Sequence, residues 1–245
     1  MKPILFNTDM VLAILENRKT VTRREVKLKY SNTHLEMFTN KYGTRLIEKQ
    51  NEEPGVTTIK NPDGTTTHKL LACIEKEPPY RPGDILYVRE KWRIVDYLDG
   101  LSLKFEYEAD GKISDFIDFT NDRLKKFLKY IGRKGWCPKI FMPREAARIF
   151  LRVKDVRVER LQDIKPEQLR AEGFHLSFTP SECQRMFDRW GAVQDFERER
   201  EKFASLWDST IKKSYRALYG WAANPWVWVI EFERISREKA VNHAI

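Results

Sequence analysis

The chain has little of what secreted, zinc-bound or membrane-spanning proteins need. Its three cysteines, Cys73, Cys137 and Cys183, are odd in number, far apart and never spaced as CxxC. That usage suits reduced thiols in a cytosolic protein and argues against a disulfide framework. Its four histidines, His34, His68, His175 and His243, are equally scattered, so no structural zinc set, and no metal or other cofactor, is expected. No apolar run approaches the roughly 20 residues that span a bilayer, and the amino terminus lacks the apolar core and cleavage site of a secretion signal. The expectation is a cytoplasmic protein with no membrane partner. Also missing are a Walker loop, a GxGxxG turn, an HExxH pair and an HxE with CxxC. P-loop nucleotide hydrolysis, dinucleotide redox chemistry and zinc deamination thereby lose their usual support.

What is present is positive charge. Lys and Arg number 45 against 36 Asp and Glu, a net charge of +9. Such a surplus favours a polyanionic partner, because each phosphate neutralised releases condensed counterions. A solvated basic surface is the alternative. At 245 residues the chain is long enough for a core that needs neither disulfides nor metals.

Lys2 to Phe6 reads as a first strand, and Thr8 with Asp9 as the cap and first turn of a helix whose apolar face is Met10, Val11, Ile14 and Leu15. Asn17 follows where asparagine tolerates the left-handed conformation that closes a helix. From Arg18 to Lys29 there are then six basic residues against one acid, Glu25. Tyr30 to Pro79 looks like an excursion carrying a hairpin, with Asn61-Pro-Asp-Gly64 as its turn. Ile85 to Val88, Leu101 to Glu108 and Trp226 to Glu233 read as strands, and Asn121 to Tyr130 contains a short helix. Between Ala147 and Leu161, Ile149, Leu151 and Val153 share one face, but Val156 and Val158 have changed parity, which predicts a bulge near Lys154-Asp155. Pro166 as a first helical residue and Gly173 beyond the end frame a two-turn helix to Glu172. Phe187 to Lys212 reads as a longer amphipathic helix with Phe196, Phe203, Leu206 and Trp207 buried. The fold class expected is α+β around one mixed or antiparallel barrel-like sheet. It forms a single domain over residues 1–235, with insertions at about 30–79 and 177–202, and a polar tail at 236–245 that frays.

The chemistry concentrates in Asn17 to Arg24. Threonine is a nucleophile only when a base takes its proton, and lysine is a base only when burial or neighbouring positive charge lowers its pKa. Lys19 and Thr22 are three apart, with Arg18, Arg23 and Arg24 to supply that charge and to hold an anion. The plainer alternative is a basic junction sitting in water. Glu172 stands at the negative end of a helix dipole, which calls for a cation partner or a catalytic role unless it is simply exposed. Among the aromatics at strand ends and in loops, Trp92 and Trp221 are the first choices to stack on a base.

Asn17 to Arg24 resembles the signature of ASCH domains, a branch of the PUA-like superfamily, written GxKxxExR. Lys19 and Arg24 fall on its Lys and Arg, while Asn17 stands where Gly is usual and Thr22 where Glu is usual. The run Arg18 to Thr22 is similar to the matching segment of small bacterial ASCH amidohydrolases that remove the acetyl group from acetylated cytidine. That resemblance implies a PUA-like barrel with Lys19, Thr22 and Glu172 as catalytic residues, Glu167 being the alternative acid. It also implies an N-acylated cytosine nucleoside, or a modified base in nucleic acid, RNA in preference to DNA, as the ligand. Lys2 to Phe6, Arg81 to Asp84 and Asn224 to Trp228 resemble a phage and prophage ASCH-like group. A non-catalytic RNA- or DNA-binding module and a metal-assisted ribonuclease are the alternative functions.

Overall fold

The computed structural model describes residues 1–30, 33–41, 43–50, 57–60, 66–69, 74–98, 101–173 and 197–242. Its strands are β1 (Lys2–Leu5), β2 (Val21–Glu25), β3 (Thr33–Asn40), β4 (Gly43–Gln50), β5 (Thr57–Lys60), β6 (Thr66–Lys69), β7 (Ile74–Glu75), β8 (Ile85–Arg89), β9 (Trp92–Leu98), β10 (Ser102–Tyr107), β11 (Ile117–Asp118), β12 (Phe150–Arg160) and β13 (Trp226–Ile235). The helices are α1 (Thr8–Leu15), α2 (Asn121–Lys125), α3 (Pro166–Ala171), α4 (197–210), α5 (Arg216–Tyr219) and α6 (Arg237–Asn242).

The centre is a five-stranded mixed sheet ordered β1-β8-β12-β13-β2, assembled from both halves of the chain. β1 lies parallel to β8, and the other neighbours are antiparallel. The α+β class expected from sequence is therefore observed. β1 and β2 form the edges of the sheet, and no closed barrel is found among the described residues.

Alternation along β13 decides what each face buries. Ile230 and Phe232 join Ile4, Phe6, Val11 and Ile14 beneath α1, while Val227 and Val229 join Val21, Leu161, Leu169, Phe203 and Trp207 beneath α3 and α4. The change of parity in β12 is resolved as expected, because its register against β13 shifts between Val153 and Asp155. Two residues then oppose one, and Val156 packs against the same cluster as Val153.

Two expectations fail at helix ends. α1 is capped by Asn7, whose side chain accepts from the Met10 amide, and not by Thr8, whose hydroxyl donates to Glu108 instead. Asparagine is at least as good a cap as threonine, and here it wins by one position. The tail does not fray through 236–242, because α6 docks there with Ala240 fully buried against Ile85, Tyr87 and Phe150. Arg237 adds a bond from its guanidinium to the Glu145 carbonyl at 3.2 Å.

The excursion after β2 contains the sheet β3-β4-β7 and the antiparallel pair β5-β6. The expected turn at residues 61–64, Cys73, Cys183, Phe196 and most of the 177–202 stretch lie outside the described residues. The excursion is tied to the end of the basic motif by Glu48 on β4, which is 1% exposed. Its carboxylate accepts from the amides of Lys29 and Tyr30, the Thr33 hydroxyl and the Lys76 ammonium. Burial opposes that charge, but Lys76, Thr33 and the two amides outweigh it and hold the carboxyl down to about 2, from an ordinary 4.5.

A depressed carboxyl contributes stability that is complete above about pH 4.5 and is lost as pH falls through about 2. The contribution is on the order of 3 kcal/mol. Urea unfolding should therefore show Glu48→Gln weaker than wild type by roughly that amount at pH 7, with the gap closing between pH 4.5 and 2.

Candidate functional site

The site begins where α1 stops. Glu16 caps the helix and Asn17 takes a left-handed conformation (φ 58°), as its place after the apolar pattern predicts. The amides of Arg18 and Lys19 then both donate to the Ala13 carbonyl, at 2.8 and 3.0 Å. The chain is thus turned back along the helix before it enters β2. The end of α3 lies against this turn through a bridge between Lys19 and Glu172 and a bond from the Thr20 amide to the Ala171 carbonyl. Gly173 is required twice over. Its φ is +86°, and a Cβ there would meet the Ala13 Cβ at 2.7 Å and the Lys19 Cβ at 3.0 Å.

This packing buries a charge cluster. The Lys19 side chain has no exposed surface and that of Glu172 has 3%. The ammonium donates to Glu172 Oε2 at 2.6 Å, to the Glu172 carbonyl at 2.9 Å and to the Val21 carbonyl at 2.8 Å. Its three protons are therefore all matched. The other carboxylate oxygen of Glu172 accepts from Arg23 at 3.1 Å, and Arg23 reaches on to Glu159 at 3.3 Å and Gln168 at 3.0 Å. Two cations face two carboxylates, which is the condition for keeping such groups out of water. Burial lowers the Lys19 pKa, the nearby Arg24 and Arg23 lower it further, and Glu172 pulls the other way without restoring it.

Thr22 is 1% exposed, on the edge strand of the sheet. With Glu172, Met10, Phe203, Trp207 and Thr210 it lines a cavity of about 40 Å³, room for a water or a small group. No hydrogen bond joins the Thr22 hydroxyl to the Lys19 ammonium, whose protons are spent elsewhere. Arg24 also borders this cavity. Its guanidinium donates to the Leu5 carbonyl at 2.9 Å and lies 5.4 Å from the centre of the Phe6 ring. On its other side Arg24 borders an open groove of about 480 Å³, together with Lys27, Lys76, Tyr80 and Trp228. That volume lies in the usual range for small-molecule sites.

The structure thus brings Lys19, Thr22 and Glu172 together and does not bring them the tryptophans. Trp92 has no exposed surface and packs among Phe105, Phe127 and Tyr130, so the stacking role expected for it is corrected to a core role. Trp221 packs edge-on against Phe203 beneath Arg200 and lines neither the cavity nor the groove. The aromatics that do line the groove are Tyr80 and Trp228. Nothing in sequence marked Trp228, which stands opposite Arg24 only in the register of β13 against β2.

The arginines divide. Arg23, expected to bind ligand, is committed to Glu172 and Glu159. Arg18 holds Glu16 and the Gly173 carbonyl. Arg24 alone of the three borders the groove. Glu159 and Gln168 were not anticipated, since nothing in a strand-end acid or a helical glutamine signals a buried partner. Among the described residues no three His, Cys, Asp or Glu side chains gather as a metal site would need. Family models, curated proteins and solved structures yield no match to the chain.

Removing one member of a buried pair strands the other, at a cost of about 3–5 kcal/mol. Glu172→Ala strands Lys19 and leaves Arg23 only Glu159 as a carboxylate partner, whereas Lys19→Met leaves the Glu172 carboxylate with Arg23. Thermal unfolding should rank the first as the more damaging. Gly173→Ala, forced into positive φ against Ala13 and Lys19, should cost at least about 1–2 kcal/mol in the same measurement.

Proposed function

We propose that the chain is an ASCH-type protein of the PUA-like class that binds a modified nucleobase, as nucleoside or within nucleic acid, and hydrolyses an amide on it. The observation that carries this reading is the Lys19–Glu172 contact, 2.6 Å long and out of water beside Thr22. Lysines with burial-lowered pKa values placed beside a hydroxyl and an acid concentrate at catalytic sites. Burial and the neighbouring arginines lower the Lys19 pKa, so the amine is neutral, and able to accept a proton, at a lower pH than an ordinary lysine. Thr22 Oγ then attacks the acyl carbon and Lys19 takes its proton. Arg24 faces the developing oxyanion, and collapse of the adduct expels the base amine, which leaves with that proton. Water hydrolyses the threonyl ester in the second half of the reaction. The groove beside Arg24 takes the base, with Tyr80 and Trp228 as its aromatic walls.

A second reading, a non-catalytic nucleic-acid-binding module, has its own support. All three Lys19 protons are matched and none goes to Thr22, as in a lysine that only braces the fold. Its sign is oligonucleotide affinity that falls steeply with salt, without product.

The two are separated by incubating acetyl-, propionyl- and benzoyl-cytidine with wild type and Thr22→Val, a variant that keeps the side-chain shape. Hydrolysis by wild type, reduced at least about 100-fold in a folded Thr22→Val, supports the enzyme. The rate should rise with pH and level off below a lysine's ordinary 10.5, because the lowered Lys19 must be neutral to accept the proton. No product from any acyl group, or equal rates in both proteins, overturns it in favour of the binding module.

A further inference from the structure

Residues 123–144 hold eight Lys or Arg and no Asp or Glu. Several surface cations elsewhere stand beside acids, as Arg45 does with Glu75, Lys91 with Glu108 and Arg93 with Glu106. In this segment Arg123 pairs with Glu145, and Lys125 lies 4.0 Å from Asp122. The other six, Lys126, Lys129, Arg133, Lys134, Lys139 and Arg144, form no ion pair among the described residues. All but Lys139 are exposed.

The segment is nonetheless held firmly. Phe127, Tyr130 and Cys137 are buried around Trp92, and Trp92 and Cys137 exchange backbone hydrogen bonds. Cations fixed on a rigid base and left unneutralised present a surface complementary to a polyanion. Apolar side chains stand among them: Phe141 is 53% exposed, beside the Tyr130 ring, and Ile140 is 56% exposed.

Hydrogen bonds tie the far end of this segment to the candidate site. Arg89 donates to the Ile140 carbonyl at 3.1 Å, the Phe6 amide donates to the Arg89 carbonyl, and Arg24 donates to the carbonyl of Leu5 next door. Lys139 thereby comes near Arg24 and Lys91. Burial lowers its pKa, and those two charges lower it further. An anion there would relieve all three.

We propose that residues 126–144 form a track for the phosphate backbone of a single-stranded nucleic acid, running through Lys139 to Arg24 and delivering one nucleotide into the groove between Tyr80 and Trp228. Phe141 offers a face on which a neighbouring base can stack. The substrate of the site would then be a base within a strand, not a free nucleoside. This extends the nucleobase-binding reading above but does not depend on amide hydrolysis.

The test is fluorescence anisotropy with a single-stranded oligonucleotide of about a dozen nucleotides, from 50 to 300 mM salt, for wild type and for the combined Lys126→Ala, Lys129→Ala, Arg133→Ala, Lys134→Ala variant. None of these four lines the groove or the cavity, so the variant should fold and keep any activity on free acylcytidine. The log–log salt slope should fall in magnitude by up to about 3, at roughly 0.7 for each phosphate no longer neutralised, and affinity at 50 mM by tenfold or more. Equal affinity and slope in both proteins overturns the track. So does binding to anionic phosphatidylserine vesicles with none to the oligonucleotide, which would make the surface a membrane contact. Loss of acylcytidine hydrolysis in Thr22→Val alongside unchanged oligonucleotide binding would support the track and the enzyme separately.

Discussion

The arrangement rests on one carboxylate kept out of water. Glu172 has a lysine on one oxygen and an arginine on the other, and both cations come from the five residues that leave α1 and start β2. A desolvated carboxylate is costly unless each lone pair has a donor. The contact therefore fixes how closely the end of α3 approaches the start of β2. It explains why a glycine must follow Glu172, why Asn17 must turn left-handed, and why Thr22 ends at the floor of a cavity and not in solvent. The proposed chemistry and the architecture share the same three side chains, so a change to any of them tests both.

Around that contact the molecule separates two kinds of positive charge. Lys19 and Arg23 are neutralised internally and cannot serve as a landing point for a ligand. Arg24, Lys139 and the exposed cations of residues 126–144 have no carboxylate of their own among the described residues. A desolvated amine suited to proton transfer and a set of unpaired cations suited to phosphate need opposite environments. The fold supplies both by letting consecutive residues of an edge strand point to different sides.

Much of the frame was legible because it depends on local rules. The parity change from Val153 to Val156 announced the bulge, Pro166 and Gly173 announced the ends of α3, and the run Leu101 to Glu108 announced the strand β10. The gathering of Lys19, Thr22 and Glu172 came from a motif resemblance, and spacing alone would have left Glu172 a surface residue. What stayed hidden depends on distant partners. Trp92 has the composition of a stacking residue, and only the aromatic cluster around it shows that no face is free. The groove is walled by residues from near positions 25, 76, 80 and 228, a combination that no window of sequence contains. Ala240 looked like part of a polar tail because its pocket is made by Ile85 and Phe150.

The pairing of β2 with β13 also sets an order of events during synthesis. Val21 to Glu25 meet residues 227–231, about two hundred positions later, and Lys19 meets its acid only once residue 172 has been made. Until the last strand is added, the basic motif is an edge without a neighbour, and its lysine is an ordinary solvated amine. The buried Lys19–Glu172 cluster is therefore among the last parts of the fold to form during synthesis. Any chain cut short before β13 carries the motif without the sheet neighbour that buries it.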